Sequence, residues 1–106
     1  MPVTIDGSAR VRNGQFQFAG SLDGTIYIFN GVMNPDPGTC IAQAATLEVD
    51  DVASLSGTTT FEGKVDAGFE LSFAANDAKL SGEADIPPSL PTAVRGAGYW
   101  FREANS

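Results

Sequence analysis

The sequence predicts an all-β fold, either an antiparallel β-sandwich or a small β-barrel, with about eight strands built from two three-stranded meanders in a single domain, residues 1–106. Apolar and polar residues alternate along most of the chain. The dipeptides Asn13-Gly14 and Asp23-Gly24 are typical of two-residue hairpin turns, in which both residues need positive φ. A chain of 106 residues is long enough to bury one hydrophobic core.

The first meander covers residues 3–30. The alternation of its first strand continues in phase through Gly7, so we interpret this glycine as a bulge or bend within one long strand. Counting outward from the two turns predicts that Val11 lies opposite Phe16 and that Phe18 lies opposite Phe29. One face of the first strand then carries the apolar and small residues Val3, Ile5, Gly7, Ala9 and Val11.

The third strand, "TIYIF", has no polar face. If Tyr27 and Phe29 point into the core, Ile26 and Ile28 point outward, beside a second strand that offers only glutamine, alanine and serine there. A large uncovered apolar patch is uncommon on a monomer. The pattern therefore predicts that another segment of the chain, a second subunit or a protein partner covers Ile26 and Ile28.

The middle of the chain gives a weaker pattern. Residues 31–38, "GVMNPDPG", have the prolines, asparagine and glycines of a loop. The following "CIAQAATLEVDDVASL" is compatible with a helix by the spacing of its apolar residues and with a strand by the alternation in "ATLEV". We favour a strand because the rest of the chain is all-β.

The second meander covers residues 57–86. Its first loop, 66–68, has the form of a three-residue turn with Gly68 in the left-handed conformation, and it places Lys64 opposite Glu70. A turn at Asn76-Asp77 then brings Glu70 opposite Glu83. Two close carboxylates can act as an acid and base pair, although a solvated surface network with nearby lysines is the simpler interpretation.

The final strand, "TAVRGAGYWFR", follows the proline-rich "IPPSLP", which favours an extended connection. Tyr99 and Trp100, with Gly96 and Gly98 before them, could form a shallow platform for a sugar ring. Alternatively, Trp100 packs in the core and the glycines permit close packing. Alternation places Val94, Gly96, Gly98 and Trp100 on one face and Arg95, Ala97, Tyr99 and Phe101 on the other.

Composition excludes several classes of function. The net charge is −7, from 13 acidic and 6 basic residues, which disfavours nucleic-acid binding and anionic membrane surfaces. Histidine is absent, which argues against zinc sites and His-dependent catalysis, so we expect no metal and no cofactor. Cys40 is the only cysteine, and we expect a small buried thiol. With no signal peptide or transmembrane segment visible, a soluble cytoplasmic protein is expected.

Three hypotheses for function remain. The first is a non-catalytic binding or assembly module that acts through protein-protein contacts or as a homo-oligomer, with Ile26 and Ile28 at the contact. The second is a small-molecule or carbohydrate-binding domain that uses Tyr99 and Trp100. The third is a histidine-free enzyme, which requires an enclosed carboxylate; only Glu48, Asp50 and Asp51 could supply one, because alternation turns the other strand acids outward. The sequence favours a non-catalytic role. Asp50-Asp51 and Asn34 with Asp36 offer oxygen ligands, but at no known calcium-ligand spacing.

Overall fold

The computed structural model describes residues 3–34, 39–51, 53, 55–74, 78–85 and 92–104. These residues form eight antiparallel strands that close into a barrel, which decides between the two predicted architectures in favour of the barrel. The strands are β1 (Val3–Arg12), β2 (Gln15–Leu22), β3 (Thr25–Asn34), β4 (Cys40–Val49), β5 (Gly57–Val65), β6 (Gly68–Phe73), β7 (Ala78–Glu83) and β8 (Thr92–Ala104).

The order of strands around the barrel is β1-β2-β3-β8-β5-β6-β7-β4, with β4 returning to β1. Two meanders, β1-β2-β3 and β5-β6-β7, are each followed by a fourth strand. That fourth strand pairs with the first strand of its own meander and with the last strand of the other: β4 with β1 and β7, β8 with β5 and β3. Each fourth strand therefore bridges the two halves of the chain, and together they close the barrel. As a result, β3 and β8 are neighbours.

The predicted pairings of the first meander are confirmed. Val11 lies opposite Phe16, and Phe18 opposite Phe29. Both turns have the positive φ of the type I′ conformation, at 54° and 76° for Asn13 and Gly14. The pairing of β1 with β4 shifts register between Gly7 and Ala9, so the predicted irregularity lies here. The segment from Cys40 to Val49 forms a strand and not a helix, which confirms the favoured prediction.

A densely packed aromatic cluster fills the barrel. The ring of Phe29 lies 4.9 Å from that of Phe73 and 5.0 Å from that of Trp100, measured between centroids. Such tilted and edge-on arrangements are the favoured geometries for aromatic pairs. The largest fully buried side chains are those of Phe16, Phe18, Phe29, Phe69, Phe73, Ile5, Met33, Leu47, Leu55, Leu80, Val11 and Val49.

Three sequence predictions are wrong. Residues 31–34 belong to β3 and not to a loop, because Met33 continues the inward alternation and is buried against the core. Gly68 does not have the positive φ expected of it; a side chain there would instead collide with the carbonyl of Gly82. Glu70 pairs with Ser81 and not with Glu83, because Phe73 pairs with Ala78 and the connection between β6 and β7 has four residues.

The two-residue error in register kept every side chain on its predicted face, since the period of a strand is two. The strand β7 also ends at Glu83, before the predicted limit at 86. The predicted turn at 76–77, the proline-rich connection over 86–91 and Asp36 lie outside the described residues.

Candidate functional site: the outer face of β3 and β8

Strands β3 and β8 run side by side and project large apolar residues from the outside of the barrel. Ile28 pairs with Phe101, Asn30 with Tyr99, and Val32 with Ala97. We define the β3–β8 face as Ile26, Ile28, Asn30 and Val32 from β3 together with Ala97, Tyr99 and Phe101 from β8.

Much of this apolar surface is open to solvent. Among the described residues, the exposed large hydrophobic side chains are Val32, at 63% of its maximum, and Tyr99, at 49%, and both lie on this face. Ile26, Ile28 and Phe101 are half-buried against their neighbours. The rings of Tyr99 and Phe101 are stacked, with centroids 5.8 Å apart and planes inclined by 28°. The face is therefore a preformed aromatic and aliphatic ridge.

Beside the centre of the face, the neighbouring strands contribute no charge. The outward positions of β2 are Gln15, Gln17, Ala19 and Ser21, and those of β5 beside Tyr99 and Ala97 are Thr58 and Thr60. Among the described residues, charge appears at the two ends of the face, as Glu103 at one end and as Arg95 with its β5 neighbour Glu62 at the other. Strands β6 and β7 differ, because their outward positions include Glu70, Lys79 and Glu83.

Two glycines bring β3 and β8 close together beneath the face. Gly31 and Gly98 pair across the two strands, and a Cβ atom built on Gly31 would lie 2.7 Å from the carbonyl oxygen of Ala97. A Cβ atom on Gly98 would likewise collide with the carbonyl oxygen of Asn30. Of the two glycines predicted as part of a sugar platform, Gly98 therefore allows the strands to approach, and a Cβ atom on Gly96 would likewise collide with the carbonyl oxygen of Val32.

The structure brings together three of the four residues predicted for binding. Ile26, Ile28 and Tyr99 lie on the β3–β8 face, whereas Trp100 points into the barrel, is 3% exposed and packs on Phe29. A surface ligand cannot stack on Trp100. None of the described residues accepts a hydrogen bond from its buried indole Nε1, so its contacts with them are packing contacts.

Phe101 and Val32 were absent from the predicted site. Alternation had already placed Phe101 on the face of Tyr99, so this residue could have been found from the sequence. Val32 could not, because the prolines and glycines around it predicted a loop.

An open groove continues from the β3–β8 face across β2 towards β1. Its volume is about 1060 Å³, and its lining includes Tyr99, Asn30, Gln17 and Arg10. The guanidinium of Arg10 donates two hydrogen bonds to the Gln17 side-chain oxygen, from Nε at 3.1 Å and from Nη2 at 2.8 Å. Tyr99 is thus flanked by an apolar surface on one side and by amide and guanidinium groups on the other.

The carboxylates required by the enzyme hypothesis do not form an enclosed site. Glu48, Asp50 and Asp51 are all exposed. Within the described ranges, no three histidine, cysteine or acidic side chains come together as a metal site. The Cys40 thiol is fully buried, as predicted.

In the part of the chain that the structure describes, there is no helix with the length and apolar character needed to cross a bilayer. Comparison with protein families found no match, and comparison with curated proteins found none either.

Proposed function

We propose that this protein is a non-catalytic binding or assembly module that acts through protein-protein contacts at the β3–β8 face. The observation that supports this most strongly is the position of the exposed apolar groups. Val32 and Tyr99, the exposed large hydrophobic residues of the described chain, lie on the same face as Ile28 and Phe101, and the positions beside Tyr99 and Ala97 on β5 are the uncharged Thr58 and Thr60. Depletion of charge and enrichment in aromatic residues are the composition of an interface core.

The electrostatics of the whole chain favour the same face. With a net charge of −7, the protein repels acidic partners and copies of itself over most of its surface. Strands β2 and β3 contain no acidic residue, so this repulsion is weakest where the apolar residues are exposed.

The size of the face predicts how tight the contact is. From β2 to β5 it is three strand spacings wide, or roughly 14 Å, and from Arg95 to Glu103 it is roughly 27 Å long, at about 4.8 Å per strand and about 3.4 Å per residue. This footprint, about 380 Å² on each partner, is about half that of a standard specific interface, so we expect a weak and reversible association.

The proposal is tested by placing charge on the face and, separately, elsewhere. The double variant Ile26→Lys with Ile28→Lys should lose concentration-dependent association in sedimentation velocity. The matched control, Ser72→Lys with Ser81→Lys, makes the same change to the outward positions of β6 and β7 and should associate as the wild type does. Thermal unfolding confirms that both variants are folded. If the face variant retains the wild-type association with either a second copy or a captured partner, the proposal fails.

A second candidate function, carbohydrate binding, is favoured by the groove beside Tyr99. The exposed ring of Tyr99 offers a stacking surface, and the neighbouring Asn30, Gln17 and Arg10 offer several hydrogen-bond donors. The sequence predicts that Tyr99 and Trp100 both stack on a sugar, and with Trp100 buried this role would be left to Tyr99. A panel of neutral and acidic oligosaccharides, followed by NMR chemical shifts of Tyr99 and its neighbours, tests this function. Shifts that Tyr99→Ala abolishes and Thr60→Ala preserves would support it, and a panel without effect would remove it.

A further inference from the structure

The outward residues of β8 are complementary to themselves when the strand is reversed. From one end to the other they are a base, a small residue, an aromatic ring, a large apolar residue and an acid: Arg95, Ala97, Tyr99, Phe101 and Glu103. Reversal about Tyr99 places Phe101 over Ala97 and Glu103 over Arg95. A large side chain then meets a small one, and each charge meets its opposite.

The neighbouring strand β3 has the same property about Asn30, the cross-strand partner of Tyr99. Reversal places Ile28 over Val32, so apolar residues meet apolar residues beside the centre, and it places Ile26 over Asn34 at the ends of the face. At the centre, Asn30 lies over Asn30, and a side-chain amide can both donate to and accept from a second amide. The two strands therefore share one centre of reversal, at the pair formed by Asn30 and Tyr99.

We infer that the partner bound by the β3–β8 face is a second copy of this chain, packed face to face about a two-fold axis that runs across the strands through Asn30 and Tyr99. This inference rests on the proposed function and adds the identity and orientation of the partner. Self-complementarity of one patch is the requirement of a two-fold interface, since each contact occurs twice. Tyr99 then lies at the centre of the contact, where aromatic residues contribute most to binding.

The positions of the charged residues favour an axis that runs across the strands over one that runs along them. Arg95 and Glu103 are eight residues apart on one strand, so within one chain they are separated by roughly 27 Å and cannot pair. Arg95 has Glu62 of β5 as its cross-strand neighbour but forms no ion pair with it, and Glu103 forms none with any described residue. An axis along the strands, midway between β3 and β8, would place Arg95 over Asn34 and Glu103 over Ile26, and would form no pair of opposite charges. The axis across the strands instead forms two pairs of opposite charge.

The two-fold arrangement can be tested by reversing the charge of Arg95 or Glu103 and then mixing the two variants. Arg95→Glu and Glu103→Arg, each alone, turn both intermolecular pairs into repulsions, and we expect the dissociation constant to rise about 5-fold to 100-fold, from the range known for exposed pairs. An equimolar mixture of the two variants should regain wild-type affinity, because the heterodimer contains two opposite-charge pairs. The double variant should regain it as a homodimer. Ser72→Lys serves as the surface control, and thermal unfolding shows that each variant is folded.

The outcomes separate this inference from the proposed function. If single reversals weaken the dimer and the mixture restores it, the two-fold arrangement is supported. If the wild type dimerises but neither reversal changes the affinity, or if mixing does not restore it, the arrangement is overturned while the face itself stands. A wild type that stays monomeric also overturns it. A dimer that survives Ile26→Lys with Ile28→Lys overturns the face and the inference together.

Discussion

Replacing Gly98 with alanine should loosen the junction between β3 and β8. The built Cβ atom of Gly98 lies 2.5 Å from the Cα atom of Gly31 and 2.8 Å from the carbonyl carbon of Asn30. Ordinary contacts begin near 3.4 Å. The two strands must therefore separate by about 1 Å, which stretches the adjacent backbone hydrogen bonds beyond their useful range.

The expected cost follows from the bonds that this separation weakens. Two backbone hydrogen bonds at about 0.5 to 1.5 kcal/mol each give a loss of about 1 to 3 kcal/mol. Alanine also lowers the conformational entropy of the unfolded chain, because it is less flexible than glycine, and this offsets about 0.4 to 1 kcal/mol of the loss. The middle of the resulting range, a net loss of about 1 to 2 kcal/mol, lowers the melting temperature by roughly 4 to 16 °C for a domain of this size.

Thermal unfolding followed by circular dichroism measures this loss, with Ala97→Ser as the control on the adjacent outward position. The control should change stability by less than about 0.5 kcal/mol. Self-association of Gly98→Ala should also weaken, because the shift moves Tyr99 away from Asn30. An unchanged or higher melting temperature for Gly98→Ala would refute the close approach of β3 and β8 as described.

Further predictions concern the core, a turn and two buried reporters. Phe29→Ala should lower the free energy of unfolding by about 3 to 5 kcal/mol in denaturant titrations, because Phe29 is fully buried among four aromatic rings. Asn13→Ala should cost about 1 to 2 kcal/mol, whereas Asn13→Gly should be nearly neutral, because φ is 54° at this position. Trp100 should emit at short wavelength and resist acrylamide quenching until the protein unfolds, since it is 3% exposed. The Cys40 thiol should react with a disulfide reagent only at the rate of unfolding, because it is fully buried.

Local signals in the sequence were sufficient for the first meander. Two-residue turns at Asn13-Gly14 and Asp23-Gly24 set the register of three strands without any long-range information, because such turns allow only one pairing. Alternation then determined which residues point inward, including Phe16 and Phe29. The same reasoning identified Ile26 and Ile28 as outward apolar residues.

The closure of the barrel could not be predicted in this way. The pairing of β3 with β8 joins residues some 70 positions apart, such as Ile28 and Phe101, and no turn fixes their register. The sequence therefore identified the apolar residues of the two strands separately, but not that they form one surface. Trp100 illustrates a different limit, because alternation gave its face correctly but could not decide which side of the strand was the core.

The proposed association of two copies through the β3–β8 face can be followed in a dilution series by ¹⁵N-resolved NMR, because each backbone amide reports its own environment. We expect concentration-dependent shifts for residues 26–32 and 97–103 and constant positions for the amides of β6 and β7. Constant positions for residues 26–32 and 97–103, or shifts centred on β6 and β7, would contradict it.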